Sequence, residues 1–199
     1  MNTGKNVPGN EEAGMKMRIV SILLAFTAFI SGETTTALFP VSDSTLYEKY
    51  KISSCVASTG KSGGNDVLEL KLKSSPSGWP GIVFSNDIFS ITDWSAYGAL
   101  AVTVENQNAD ELRVYLRVDD AFPKPNAWTL YQGGAVVPAG KVLRLVLPFE
   151  SPWGRLRGAP RVASTTAGLI LPSGGVTLRR QKIASIILFL GKPTKEYTL

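Results

Sequence analysis

One short stretch of this 199-residue chain carries three side chains whose chemistry suits ligand binding. Between Leu112 and Asp120, Arg113, Tyr115 and Arg117 alternate with apolar residues. A two-residue period places all three on one face of a β-strand. An aromatic ring can stack on the apolar face of a sugar ring while guanidinium groups donate hydrogen bonds to its hydroxyls. The solvated face of an antiparallel sheet would show the same residues, so both interpretations stay open.

Three more residues are candidates for the same surface: Trp128, Tyr131 and Arg144. Trp128 and Tyr131 belong to a predicted short strand and offer rings for stacking, although their spacing places only one of them on a given face. Arg144 comes from another predicted strand, and several arginines together favour an anionic or sulfated glycan. Trp79 and Trp94 are interpreted as core residues, because tryptophan is mostly buried in folded proteins.

Two carboxylates, Asp119 and Asp120, end the strand that carries the arginines. They supply the oxygen ligands that a structural calcium ion prefers. A pair of carboxylates also suggests a glycosidase centre, but neighbouring strand residues point to opposite faces, which is poor geometry for chemistry on one bond. The chain has no histidine and a single cysteine, Cys55, which excludes histidine-dependent nucleophilic catalysis, an intrachain disulfide and a cysteine zinc cluster. We therefore expect no catalytic activity and no required cofactor.

The charge pattern does not indicate a nucleic-acid partner. The formal net charge is +5, but the basic residues are dispersed along the chain rather than clustered. Hydrophobic residues make up 44%, which is ordinary for a globular protein. The length suits one domain preceded by a leader.

Residues 1–36 are predicted to be a leader that contains a secretory signal peptide. Lys16 and Arg18 precede an uncharged apolar run at 19–30, and small residues follow it. The run is shorter than the roughly 20 residues that a membrane span needs, so we expect a secreted or periplasmic protein with no stable membrane span. An uncleaved anchor or a core helix is the alternative. Residues 37–43 are interpreted as a linker and residues 44–199 as the folded domain.

The remainder of the chain alternates short predicted strands with turns. Alternation recurs at 68–73, 100–105, 112–119 and 142–147, and the apolar run at 183–190 is typical of a central strand covered on both faces. Loops rich in glycine, proline and asparagine separate these segments. The pattern predicts an all-β fold, a jelly-roll β-sandwich of two antiparallel sheets, preceded by a signal-peptide helix.

Several segments resemble a known family, and they are Trp79-Pro80-Gly81-Ile82, Asp93-Trp94-Ser95-Ala96-Tyr97, Arg117-Val118-Asp119-Asp120 and the run 182–190 ahead of Pro193 and Tyr197-Thr198-Leu199. They resemble the galactose-binding-like β-sandwich modules of bacterial polysaccharide-degrading enzymes such as β-agarases and related glycoside hydrolases. The resemblance covers roughly residues 44–199 and implies a carbohydrate-binding domain, a galactan-type polysaccharide ligand and a catalytic domain or partner enzyme. In that family a closing strand follows the Tyr-Thr-Leu segment, so the sandwich is expected to lack its last strand and to leave an open edge.

Three functions remain as expectations. The first is a secreted, non-catalytic carbohydrate-binding module, an accessory domain or fragment of a polysaccharide-degrading glycoside hydrolase. The second is a structural or interaction domain that packs on a catalytic partner without binding sugar. The third is a small glycan hydrolase or lyase.

Overall fold

A computed structural model describes residues 17–25, 35–39, 43, 45, 49–62, 64–75, 78–122, 131–149, 168–172, 177–193 and 197–198 of the chain. Within these ranges lie twelve strands and a short 3-10 helix, Asn86–Ile88. The strands in chain order are β1 (Met17–Ala25), β2 (Thr35–Ala37), β3 (Lys51–Ser53), β4 (Cys55–Ser62), β5 (Asn65–Leu72), β6 (Gly81–Ser85), β7 (Ala99–Asn106), β8 (Leu112–Asp120), β9 (Tyr131–Val137), β10 (Val142–Pro148), β11 (Ile183–Leu190) and β12 (Tyr197–Thr198).

The described strands form two antiparallel sheets. The seven-stranded sheet has the order β10-β7-β1-β5-β12, with β2 paired to β1 and β4 paired to β5. The five-stranded sheet has the order β3-β6-β11-β8-β9. Buried residues of both sheets meet in one hydrophobic core. The predicted all-β sandwich of antiparallel sheets is confirmed.

Two-residue alternation decides which side chains enter this core. Leu100, Val102 and Val104 of β7 are at most 1% exposed, and Leu116 of β8 and Leu188 of β11 are buried in the facing sheet. Burial of each such side chain contributes about 1.5–3 kcal/mol to the free energy of unfolding. The intervening residues of β8 therefore face outwards, as the sequence pattern predicts.

Trp94 is fully buried in an aromatic part of the core. Its ring stacks on Phe149, with centroids 5.6 Å apart and planes 22° apart, and lies 5.9 Å from Phe89. The indole Nε1 donates a hydrogen bond to the Ile91 carbonyl at 3.1 Å, so the one polar atom of the ring is satisfied. The interpretation of Trp94 as a core residue is confirmed.

The buried amide of Asn106 holds the turn that leads from β7 into β8. Its Nδ2 donates to the carbonyls of Asp110 and Val137, both at 2.9 Å, and its Oδ1 accepts from the backbone and side-chain nitrogens of Asn108. Because the amide binds both its own turn and the end of β9, it fixes where β8 begins. The outward residues of β8 are thereby placed against β9.

The described parts of the predicted leader are β1 and the first two residues of β2, which are strands and not the expected signal-peptide helix. β1 lies between β5 and β7, where Ile19 is paired with Leu68 on one side and with Val104 on the other. An extended segment with several β-branched residues can satisfy its backbone groups on both edges here, which a helix at this place would not do. No helix in the described part of the chain is long and apolar enough to cross a membrane. The boundaries of leader and linker remain predictions, because most of these residues lie outside the described ranges.

Candidate functional site

The candidate site is a cleft on the outer face of the five-stranded sheet. It has a volume of about 400 Å³. Its lining residues come from β3, β6, β8, β9, β11 and the approach to β6, and they are Ser53, Trp79, Gly81, Val83, Tyr115, Arg117, Gln132, Ile187 and Phe189. The cleft is therefore formed mostly by apolar and aromatic side chains, with Arg117 and Gln132 on one side and Ser53 on the other, which is the usual composition of a ligand pocket.

One row of residues across the sheet forms the aromatic part of the cleft. Phe189 of β11 is paired with Tyr115 of β8 on one side and with Gly81 of β6 on the other. Tyr115 is in turn paired with Gly134 of β9. The two rings stack with centroids 5.3 Å apart and planes 13° apart.

The glycines at both ends of this row leave room for the rings. A Cβ on Gly134 would lie 2.8 Å from two ring atoms of Tyr115. A Cβ on Gly81 would lie 2.7 Å from the Cβ of Phe189 and 2.3 Å from the Leu188 carbonyl oxygen. Real Cβ atoms do not approach other atoms so closely, so a larger residue at either position would displace the aromatic row.

Trp79 completes the aromatic group from the chain just before β6. Its ring meets Tyr115 edge-on at 6.3 Å and 88°, and Phe189 edge-on at 5.7 Å and 79°. The side chain remains 52% exposed, and Lys192 Nζ lies 6.0 Å from the ring centroid. The interpretation of Trp79 as a core residue is therefore wrong. The alternation of apolar and polar residues does not predict the orientation of a side chain outside a strand. The prediction for Trp79 therefore depended only on the general tendency of tryptophan to be buried.

The next row adds the polar side of the cleft. Arg117 is paired with Gln132 of β9 across the sheet. Its Nε donates to Asp119 Oδ1 at 3.0 Å and its Nη2 lies 2.9 Å from Asp119 Oδ2. The two side chains are 29% and 17% exposed. This two-pronged contact fixes the guanidinium plane and compensates its charge.

Asp120 faces the opposite side of β8 from Asp119. It is buried, and its Oδ1 accepts hydrogen bonds from the Phe122 backbone N–H and from Arg179 Nη2, both at 3.1 Å. The two carboxylates thus do not face one another across a common site. No group of three acidic, cysteine or histidine side chains that could hold a metal ion occurs among the residues with a described position. The structural calcium ion stays a prediction.

The structure brings together the three residues of β8 that the sequence singled out. Tyr115 and Arg117 line the cleft, and Arg113 lies on the same outer face, exposed and paired with Val136, outside the lining of the cleft. Because the three positions differ by two residues along one strand, this grouping follows from alternation alone.

The other predicted binding residues lie elsewhere. Tyr131 is 5% exposed on the inner face of β9, and its hydroxyl donates to the Pro148 carbonyl. Arg144 is exposed on β10, in the other sheet, where it is paired with Thr103. Trp128 lies outside the described residues. The residue of β9 that does face the cleft is Gln132, one position after Tyr131.

Two residues of the cleft floor, Ile187 and Phe189, were missed because β11 is apolar almost throughout. β11 is central in its sheet, between β6 and β8, as predicted. Its outer residues are half-buried in the cleft instead of covered by another layer. A run that is apolar on both faces does not by itself show whether the second face is covered by protein or by a ligand.

Comparison with solved structures finds proteins that contain a similar fold. No protein-family model and no curated protein matches the sequence. An exo-β-agarase structure superposes with a TM-score of 0.61 at 18% identity, covering 81% of this chain and 24% of the enzyme. The agarase AgWH50C gives 0.60 at 16% identity, with 81% and 24% covered, and PfGH50B gives 0.57 at 19%, with 75% and 20% covered.

The chain shares its fold with part of each of these three proteins. At 16–19% identity the likeness concerns the fold, and at that level the predicted resemblance to β-sandwich modules of β-agarases is confirmed. The chain spans about a quarter of the length of the exo-β-agarase and of AgWH50C, since it covers 24% of each.

Proposed function

We propose that this chain is a secreted, non-catalytic carbohydrate-binding module that holds a polysaccharide chain in the outer cleft of the five-stranded sheet. The observation that carries the proposal is Trp79, which is 52% exposed beside the stacked rings of Tyr115 and Phe189. Leaving half of an indole ring in water gives up hydrophobic stabilisation, so a ligand that covers the ring would regain it.

The cleft supplies both kinds of contact that a sugar ring needs. The exposed part of Trp79 is flat and apolar, which suits the axial C–H face of a pyranose. Arg117 and Gln132 lie on the polar side, where their N–H groups and the amide oxygen can exchange hydrogen bonds with hydroxyls. The guanidinium is already oriented by Asp119, so binding would order few side chains.

The charge of the residues that line the cleft favours a neutral galactan over the anionic or sulfated glycan that several clustered arginines would favour. Lys192, whose Nζ lies 6.0 Å from the Trp79 ring centroid, stands outside this lining. Arg117 is the arginine that lines the cleft, and Asp119 compensates its charge at 2.9 Å. Arg144 lies on the other sheet. The fold shared with agarases, enzymes named for a galactan substrate, agrees with this choice of ligand.

Isothermal titration calorimetry and affinity electrophoresis test the proposal with agarose, carrageenan, alginate and a β-glucan. We expect agarose to bind best, with an affinity that changes little with ionic strength, because a neutral ligand is not screened by salt. Trp79→Ala and Tyr115→Ala should each weaken binding. Arg144→Ala and Val142→Ala, exposed positions of the other sheet, are the matched controls and should leave it unchanged. Folded protein that binds none of the four glycans would refute the proposal.

The second candidate is an interaction domain that packs on a catalytic partner. It is favoured by the short span of this chain on the agarases, 24% of their length, and by the apolar cleft, which a partner protein could cover as well as a sugar. Tyr115→Ala and Arg117→Ala separate the two candidates. The sugar-binding function predicts lost glycan affinity in both variants, whereas the interaction domain predicts no glycan affinity to lose.

A further inference from the structure

The turn that follows β11 brings one lysine over the exposed ring of Trp79. Lys192 is exposed, and its Nζ stands over the indole at 6.0 Å from the ring centroid. In the part of the chain that the structure describes, this ammonium has no carboxylate partner, whereas the guanidinium of Arg117 is paired with Asp119. The three N–H donors of the lysine can therefore all be given to a ligand.

The backbone of this turn is fixed on both sides of Lys192. The Leu190 N–H donates to the Pro80 carbonyl at 2.9 Å, and the Ser75 N–H donates to the Pro193 carbonyl at 3.2 Å. Pro193 is also buried. These contacts hold the Cα of the lysine against the segment that leads into β6.

The conformation of Lys192 is unusual for a residue with a side chain. Its φ of +33° lies in the left-handed region, which is less stable for an L-residue than for glycine, and the proline that follows restricts the backbone further. The preceding residue, Gly191, touches the aromatic group, since a Cβ there would lie 3.1 Å from a ring carbon of Tyr115. Glycine would suit position 192 better for the turn alone, so the lysine side chain has another role.

The space between the indole and the ammonium matches one sugar oxygen. An atom in van der Waals contact with a ring lies about 3.5–4 Å from it, and a hydrogen bond from an ammonium to an oxygen spans about 2.7–3.2 Å. Together these lengths make about 6–7 Å, close to the 6.0 Å between Lys192 Nζ and the Trp79 centroid. The flexible lysine stem can supply the small remaining adjustment.

We propose that Lys192 is a sugar-binding residue, which donates hydrogen bonds to hydroxyl oxygens of the galactan unit that stacks on Trp79. This assignment rests on the proposed carbohydrate-binding function and adds a residue that selects for the polar edge of the stacked sugar. Along β11, Ile187 pairs with Arg117 and precedes Phe189, whereas Lys192 follows Phe189. Hydrogen-bond donors therefore stand on both sides of the aromatic row, which fixes the position of a sugar chain along the strands.

Lys192→Met tests the assignment, because methionine keeps an unbranched side chain but removes the N–H donors. Isothermal titration calorimetry with neutral agarose oligosaccharides should show a Kd raised on the order of tenfold, the size of one hydrogen bond from a charged group. The same ratio should be found at low and at high sodium chloride, because the ligand carries no charge. Lys71→Met, which replaces an exposed lysine of β5 in the other sheet, is the matched control and should leave the Kd unchanged.

Lys192→Gly separates a role in binding from a role in the turn. Glycine adopts a positive φ without strain, so this variant should unfold at the same urea concentration as the unchanged chain or at a higher one. Its Kd for agarose oligosaccharides should rise as in Lys192→Met. A lowered urea midpoint in Lys192→Gly with unchanged glycan affinity would overturn the proposal, because the lysine would then serve the turn.

The outcomes distinguish this assignment from the proposed function. If the unchanged chain binds agarose oligosaccharides and Trp79→Ala weakens that binding, but Lys192→Met does not, only the assignment of Lys192 is refuted. If the unchanged, folded chain binds no glycan, both proposals are refuted. A loss in Lys192→Met that is confined to carrageenan and disappears at high salt would also overturn the assignment, because the ammonium would then attract sulfate groups instead of binding hydroxyls.

Discussion

Tyr115 and Phe189 stack across the boundary of β8 and β11 at 5.3 Å, with their ring planes only 13° apart. The residue opposite each ring on the far side is a glycine, Gly134 for the tyrosine and Gly81 for the phenylalanine. The stacked pair therefore needs a residue without a side chain at position 81 of β6 and at position 134 of β9. It forms the surface against which Trp79 stands edge-on.

Gly134→Ala tests whether this arrangement matters for binding. The new Cβ would lie 2.8 Å from Tyr115 ring atoms, so the ring must leave its present stacked position on Phe189. We expect a loss of about 0.5–1.5 kcal/mol of glycan affinity, the size of an aromatic contact. The free energy of unfolding should fall by about 1–3 kcal/mol from overpacking. Calorimetry and urea denaturation measure the two effects.

The control for Gly134→Ala is the same substitution in a Tyr115→Ala background. Without the ring the Cβ has no clash, so the double variant should bind and unfold like Tyr115→Ala alone. An additive loss of affinity would show that Gly134 acts by some route other than the tyrosine ring.

Asp119→Asn tests the charge compensation of Arg117. An amide cannot neutralise the guanidinium, so the cleft should become cationic and carrageenan should bind a few-fold more tightly at low salt. That gain should disappear as sodium chloride is added, while agarose affinity stays nearly constant. The ion pair is still partly exposed to water and contributes only about 0.2–1 kcal/mol to stability, so the melting temperature should hardly change. The control is Asp87→Asn, because Asp87 is exposed on the 3-10 helix. Equal carrageenan affinity in the two variants would contradict the conclusion that Asp119 compensates the charge of Arg117 in the cleft.

Alternation made the sandwich and the face of Arg113, Tyr115 and Arg117 predictable, because a period of two leaves only one outward side to each strand. The same rule could not place Trp79, which lies outside any strand. Nor could it choose between Tyr131 and Gln132, because the choice depends on the register of β9 against β8. Registers across a sheet are set by tertiary packing, and a single-residue slip exchanges the two faces.

The leader shows a second limit of sequence patterns. A short apolar run after basic residues fits a signal peptide, and the same apolar residues fit a strand flanked by β5 and β7. The sequence pattern shows that the segment is hydrophobic, but its conformation depends on the neighbouring strands with which it can pair. The extended conformation of Met17–Ala25 is therefore determined by its pairing with β5 and β7 as well as by its own sequence.

Trp79 and Trp94 should respond oppositely to removal. Trp94 is fully buried, and Trp94→Ala should lower the free energy of unfolding by about 3–5 kcal/mol, as for other large aromatic residues in cores. Trp79 is 52% exposed, and Trp79→Ala should lower it by less than about 1 kcal/mol but weaken glycan binding by about 2 kcal/mol, roughly thirtyfold in Kd. Urea denaturation and calorimetry on both variants test the contrast. Similar stability losses in the two variants would mean that Trp79 is a core residue after all.

Cys55 on β4 should be unreactive in the folded protein. Burial raises the pKa of its thiol to about 12, because the thiolate is poorly solvated there. Iodoacetamide needs the thiolate, so at about pH 8 the folded chain should be alkylated much more slowly than the chain in urea, as followed by mass spectrometry. Because this pKa is higher in the folded than in the unfolded chain, the neutral thiol contributes fully to the free energy of unfolding below about pH 9. This contribution is lost as the pH rises towards about 12. Cys55→Ser has no thiol to ionise, so its free energy of unfolding should decline less as the pH rises above about 9. Equal alkylation rates in the folded and unfolded chains would contradict the burial of the Cys55 side chain.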